Sequence, residues 1–129
     1  NLKVFGAGES DCDYDQCTVN MTPFQWIDMF RHARFIFTGT FHGAVFAILN
    51  HRQFKVHLTN KGRIAKVGAL LDNLGITDRM MGDDYEFDLS AQSNEIDYDS
   101  VQAIIKKRRV ESIEYLKKAI DSNDDAIFR

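Results

Sequence analysis

The residues best suited to chemistry are Thr38-Gly39-Thr40-Phe41-His42-Gly43. Two hydroxyls and an imidazole lie around a permissive Gly39 and before Gly43, with an apolar run on each side. If the first run is a strand and the second a helix, that helix begins near His42. Its unpaired N–H groups and positive dipole end then face the space beyond the strand. Such a place suits an anion, a phosphate or a carboxylate. His42 could serve there as a general acid or as a cation against a phosphoryl group. The plainer reading of the same residues is a helix-capping turn with a partly buried histidine.

Other candidates carry less. Gly6-Ala7-Gly8-Glu9-Ser10 lacks the third glycine of a dinucleotide fingerprint, and the next helix begins too late, so a flexible turn is the better reading. Arg63 sits near a predicted helix start, where a cation is unfavourable to the dipole unless an anion lies close by; a solvated surface charge is the ordinary alternative. Arg79 ends a short turn and can pair with Asp78 or Asp83. His32, His51 and His57 are scattered, and Trp26 reads as core. Lys106-Lys107-Arg108-Arg109 would be spread around a helix circumference as a solvated face. Cys12 and Cys17 have neither a second cysteine pair nor a suitably spaced histidine, so they read as two reduced thiols in a loop and no metal site is expected.

The elements that must position these residues are legible from periodicity and punctuation. Leu2–Phe5 reads as a buried strand ending at Gly6-Ala7-Gly8, and Glu9–Val19 as a loop. Thr22-Pro23, with Gln25 three residues after the threonine, opens a helix through a capping box. Phe24, Ile27, Met29, Phe30 and Ala33 form its expected stripe, with Trp26 aside. Arg34–Thr38 is a strand, about His42 to Asn50 a buried helix, and Phe54–Leu58 a strand. Gly62–Leu74 is an amphipathic helix, with Ile64, Val67, Leu70, Leu71 and Leu74 inward and Gly75 as its stop. Met80–Glu95 allows a short edge strand or an ordered loop. A last helix runs from Asp97 or Tyr98 to about Asp121, with Val101, Ile105, Ile113, Leu116 and Ile120 as its expected core stripe. Ser122–Arg129 is read as a frayed or externally packed tail. Strands alternating with helices predict right-handed βαβ units in an α/β, Rossmann-like three-layer domain with a mostly parallel sheet.

With 129 residues the chain has room for a single domain, residues 1–129. Its net charge of −3 argues against a general nucleic-acid or anionic-membrane binder, which needs a surplus of Lys and Arg. No segment has the apolar length of a transmembrane span, and the start shows no basic-plus-apolar leader. Opening in mid-strand pattern, the chain reads as a piece of a longer protein.

Thr22-Pro23-Phe24-Gln25-Trp26-Ile27, then Ala33–Leu49 with its Thr40-Phe41-His42-Gly43 core, resemble the helix start and the serine-phenylalanine-histidine-glycine signature of the polysaccharide pyruvyl transferase family. Arg63-Ile64, Leu70-Leu71, Leu74-Gly75-Ile76 and Arg79 follow in that family's order, and Asp97-Tyr98, Val101, Arg109, Ser112 and Leu116 resemble its closing helix. The resemblance covers roughly Thr22 to Ile120. Thr40 stands where serine is usual, which keeps the hydroxyl, and Gly39 where an acidic residue is common.

The resemblance implies the C-terminal half of a GT-B-like transferase, completed by an N-terminal half of the same chain. The expected reaction carries a pyruvyl group from phosphoenolpyruvate to a glycan acceptor as a ketal, with no essential metal or organic cofactor. His42 would be the catalytic residue. Thr40, Phe41, Gly43 and, on weaker grounds, Arg63 would hold the donor. The expected location is cytoplasmic, or peripheral at a membrane face. Two other functions fit the same fold class: a catalytically silent binding or scaffold domain, which Gly39 keeps open, and half of a nucleotide-sugar glycosyltransferase, for which Glu9 is the placed acid.

Overall fold

The structure, a computed structural model, describes residues 3–7, 15–82 and 94–121. Its first two strands, β1 (Phe5–Ala7) and β2 (Gln16–Thr18), pair in parallel, with Phe5 opposite Gln16 and Ala7 opposite Thr18. The expected strand over Leu2–Phe5 therefore lies later in the chain. It is also not buried as a run: Val4 and Phe5 are exposed and Gly6 alone is inside. The region read as a loop supplies β2, whose Gln-Cys-Thr sequence has no apolar alternation to announce it. The Asp15 carboxylate ties the two together by accepting from the Val4 N–H at 2.7 Å. Gly8 to Tyr14, with Glu9 and Cys12, lie outside the described residues.

Helix α1 (Pro23–His32) starts as its sequence dictates. The Thr22 hydroxyl accepts from the Gln25 N–H, and the Gln25 side chain accepts from the Thr22 N–H at 2.9 Å, closing a capping box. Its inward face is Trp26, Phe30 and Ala33, at i, i+4 and i+7, rather than the stripe expected to include Phe24. The Trp26 and Phe30 rings lie 5.2 and 5.9 Å from that of Phe46, which selects this face, while Phe24, almost half a turn round, is left in solvent.

Strands β3 (Phe35–Thr38), β4 (Gln53–His57) and β5 (Met80–Met81) form a parallel sheet in the order β3-β4-β5. Helix α2 (Phe41–Leu49) connects β3 to β4. Helix α3 (Lys61–Asn73) and a 3₁₀ turn (Thr77–Arg79) connect β4 to β5. Gly75, at φ +70°, ends α3 in the left-handed conformation that glycine adopts at least cost. Ile36, Phe54 and Val56 point to one face of the sheet and join Ala44, Ala47, Val67 and Leu71 in the core. The alternate residues Phe37 and His57 are exposed and Lys55 is half-buried, so one face is sealed and the other open to partial contact. The described residues thus form an α/β arrangement with a parallel sheet and four α-helices, compatible with a Rossmann-like fold.

Helix α4 (Tyr98–Asp121) is fastened at its beginning. The Tyr98 hydroxyl donates to the Arg52 carbonyl, and the Gln53 side chain accepts from the Ile96 N–H at 2.9 Å. Burial raises the Tyr98 phenol far above its ordinary pKa, so it remains a donor. Val101 is buried, and Ile104 and Ile105 pack on the core. The expected core positions Ile113, Leu116 and Ile120 are exposed. Val101 and Ile105 of the expected stripe therefore meet the core and its last three residues do not, because the helix runs past the residues that anchor its first turns.

Two carboxylates hold this amino edge. The Asp97 side chain accepts from the Asp99 N–H at 3.0 Å and from the Ser100 hydroxyl at 2.5 Å, contacts that keep its carboxyl below the usual range. Burial pushes Asp78 upward, but the hydrogen bond and charge of Arg79 outweigh it and leave that carboxyl low as well. A carboxylate lower in the folded than in the unfolded state stabilises above its unfolded pKa of about 3.9 and stops doing so as pH falls through the folded value. Thermal unfolding followed by circular dichroism is therefore expected to be flat in pH near neutrality and to weaken below about pH 4. Asp97→Asn should blunt that acid limb.

Candidate functional site at the carboxyl edge of the sheet

Thr38 is in register with Val56, so β3 and β4 end at the same edge, and α2 and α3 both begin there. Thr40 is the N-cap of α2, with extended backbone. Its hydroxyl accepts from the Gly43 N–H at 3.0 Å and lies 3.2 Å from the Thr38 hydroxyl, which itself accepts from the Thr40 N–H at 3.2 Å. The two threonines therefore hold the turn shut. Asn60 does the same for α3, its side-chain oxygen accepting from the Arg63 N–H at 3.2 Å.

These caps use the third N–H of each helix. The N–H groups of Phe41 and His42 on α2, and of Lys61 and Gly62 on α3, have no acceptor among the described residues. Neither helix carries an acidic residue in its first turn to offset the positive dipole end. The cations gather instead: Lys61 and Arg63 lie exposed in the first turn of α3, and Lys66 places its ammonium 4.3 Å from the centre of the Phe41 ring.

His42 is exposed in the first turn of α2, its ring edge-on to Phe41 at 6.0 Å. Phe41 is half-buried and joins α2 to α3 through Lys66. Gly43 is buried, and its backbone N–H belongs to the Thr40 cap. A Cβ at position 43 would lie 1.9 Å from the Thr38 hydroxyl and 2.7 Å from the Thr38 Cβ, so this glycine is fixed by packing. Thr40 is exposed, and Arg63 stands on the neighbouring helix start at the same edge. Gly39 is exposed, and an added Cβ would meet only the His57 carbonyl at an ordinary 3.4 Å, so packing does not demand a glycine there. Lys66 escaped the sequence reading, because its proximity to Phe41 comes from α3 packing beside α2.

Arg79 has a structural role. It is buried, donates to the Asp78 carboxylate, and donates to the Asn94 carbonyl at 2.6 Å. Lys55 adds a hydrogen bond to the Asp78 carbonyl at 2.5 Å, and burial followed by the nearby Arg79 charge lowers its pKa. A cavity of about 360 Å³ opens beside this clamp, at the amino end of β5 and away from the carboxyl edge. No helix among the described residues is long and apolar enough to cross a membrane. No protein-family model matches the chain, and neither a curated protein nor a solved structure shows significant similarity to it.

Proposed function

We propose that this chain is the donor-binding, C-terminal Rossmann-like half of a GT-B-like transferase resembling the polysaccharide pyruvyl transferases. The carboxyl edge of β3 and β4 would hold phosphoenolpyruvate. The observation that carries the reading is the pair of adjoining helix starts, each with free N–H groups, no first-turn acid, and His42, Lys61, Arg63 or Lys66 close by. Two anionic groups on one small donor, a phosphate and a carboxylate, match two such starts.

In the proposed reaction two sugar hydroxyls form the two C–O bonds of the ketal at the donor's central carbon. The methylene gains a proton to become a methyl group, and the bond to phosphate oxygen breaks. The protons come from the two hydroxyls, one passing to carbon and the other to the departing phosphate. His42, exposed beside the free N–H groups, is the residue that would hand a proton to that phosphate. The Thr40 hydroxyl acts indirectly here, since it keeps the turn closed.

Titrating the 129-residue chain with phosphoenolpyruvate is expected to move the amide resonances of Phe41, His42, Lys61 and Gly62, with affinity falling as salt rises. The same chain should transfer no pyruvate, because the acceptor wall of the cleft belongs to the other half. Amide shifts confined to other regions, or none at all, would remove the donor assignment, and turnover by this chain alone would remove the two-half reading.

A further inference from the structure

Lys66 is exposed on α3, and no carboxylate among the described residues forms an ion pair with it. Arg63 stands three residues earlier, on the same side of the helix, and α3 holds no acid before Asp72. Two like charges so placed repel one another. Helical side chains lean toward the start of their own helix, and the Lys66 ammonium ends 4.3 Å from the centre of the Phe41 ring on the neighbouring helix.

An aliphatic residue at position 41 would meet the need for apolar contact alone. A ring adds a negative π face, which attracts an ammonium that lacks a carboxylate. Phe41 is half-buried and packs against the core, so the ring is fixed from behind. It is also the first residue of α2, whose own N–H and that of His42 have no acceptor among the described residues. The ring therefore keeps a cation from α3 beside the free N–H groups of α2. We infer that Phe41 is a positioning residue: its ring holds the Lys66 ammonium at the start of α2, where Lys66 contacts the donor's anionic group beside the Phe41 and His42 N–H groups. The inference rests on the donor site proposed above. It changes the role expected of Phe41, from touching the donor to placing the cation that does.

Phosphoenolpyruvate titrations of the 129-residue chain and its variants, read by NMR, test it. The Lys66 Hε protons are expected to lie upfield of their ordinary position, in the ring current of Phe41. Phe41→Leu should return them there without abolishing the folding transition. Lys66→Met keeps the stem and removes the charge, and it should weaken phosphoenolpyruvate binding about ten-fold or more, the usual cost of one charge-assisted contact. Lys66→Arg should keep most of the affinity. Phe41→Leu should weaken binding as well, yet add nothing in the Lys66→Met background, because the two act through one contact. Binding by Lys66→Met as tight as wild type overturns the inference and leaves the donor site standing. A double variant weaker than Lys66→Met alone overturns the positioning role and gives Phe41 a duty of its own. Lys66 protons without a ring-current shift overturn the placement. If the wild-type chain shows no shift at Phe41, His42, Lys61 and Gly62, the donor site itself falls, and this inference with it.

Discussion

On the proposed reaction, replacing His42 with Ala in the full-length protein is expected to lower pyruvyl transfer by about two to four orders of magnitude, the usual cost of losing a positioned proton donor, with no loss of the folding transition. The structure separates these two outcomes cleanly. The His42 side chain is exposed and its nearest ring neighbour, Phe41, is anchored independently by Lys66 and the core. The cap of α2 is made by Thr38, Thr40 and Gly43, none of which needs the imidazole. His42→Asn keeps a polar group at the same helix start but cannot pass a proton at neutral pH. Donor affinity retained with turnover lost would therefore assign proton transfer to His42, and affinity lost as well would assign it to holding the phosphate. Wild-type pyruvyl transfer by both variants would reduce His42 to a surface residue and leave the proposed reaction without its acid.

Gly43→Ala is expected to destabilise the domain by about 1–3 kcal/mol, as overpacking of a tight site does. The added Cβ meets the Thr38 hydroxyl at 1.9 Å and the Thr38 Cβ at 2.7 Å. Rotating Thr38 could relieve the first contact but not the second, which needs backbone movement at the end of β3. Alanine gains about 1 kcal/mol in helix propensity over glycine, and that gain is too small to offset a main-chain shift between β3 and α2. Thr38→Ala in the Gly43→Ala background should recover part of the loss, because it removes the hydroxyl and leaves the Cβ. Denaturant unfolding of the four variants measures this directly. An unchanged midpoint for Gly43→Ala would mean that β3 and α2 pack less closely than described.

Several helix ends, including the one at the carboxyl edge, could be read in the sequence because their determinants are local. Thr22 with Gln25, Thr40 three residues before Gly43, and Gly75 after Leu74 are each caps whose partners lie within one turn. The order of β3, α2, β4 and α3 followed from the alternation of short apolar runs with longer amphipathic ones. What escaped was set by distant partners. In α1, Phe24 and Trp26 both offered an apolar side, and only Phe46 in α2 decided between them. The pairing of β1 with β2 joins segments separated by an acidic stretch and has almost no hydrophobic pattern. In α4 the stripe through Ile113 and Leu116 has core periodicity without a core beside it, because periodicity records that a face is apolar and is silent on what covers it. The donor chemistry was proposed from the Phe41-His42-Gly43 motif. The free N–H groups at the start of α2 were legible in the same motif; the geometry adds those of Lys61 and Gly62 and the ammonium of Lys66, while the identity of the donor rests on the resemblance and its test.

The sheet order β3-β4-β5 repeats the chain order, and this bears on how the protein is made. Each strand's neighbour is the strand synthesised just before it, so no pairing waits for a distant segment to leave the ribosome. Phe35 meets Gln53 across α2 alone, and Val56 meets Met80 across α3 and one 3₁₀ turn. Loop closure at such short separations is cheap in entropy and quick. The sheet can thus be laid down in one direction during translation, with β4 closing on β3 while α3 is still emerging. The two-residue β5 joins last, and as the newest edge of the sheet it is open to mispairing in the nascent chain.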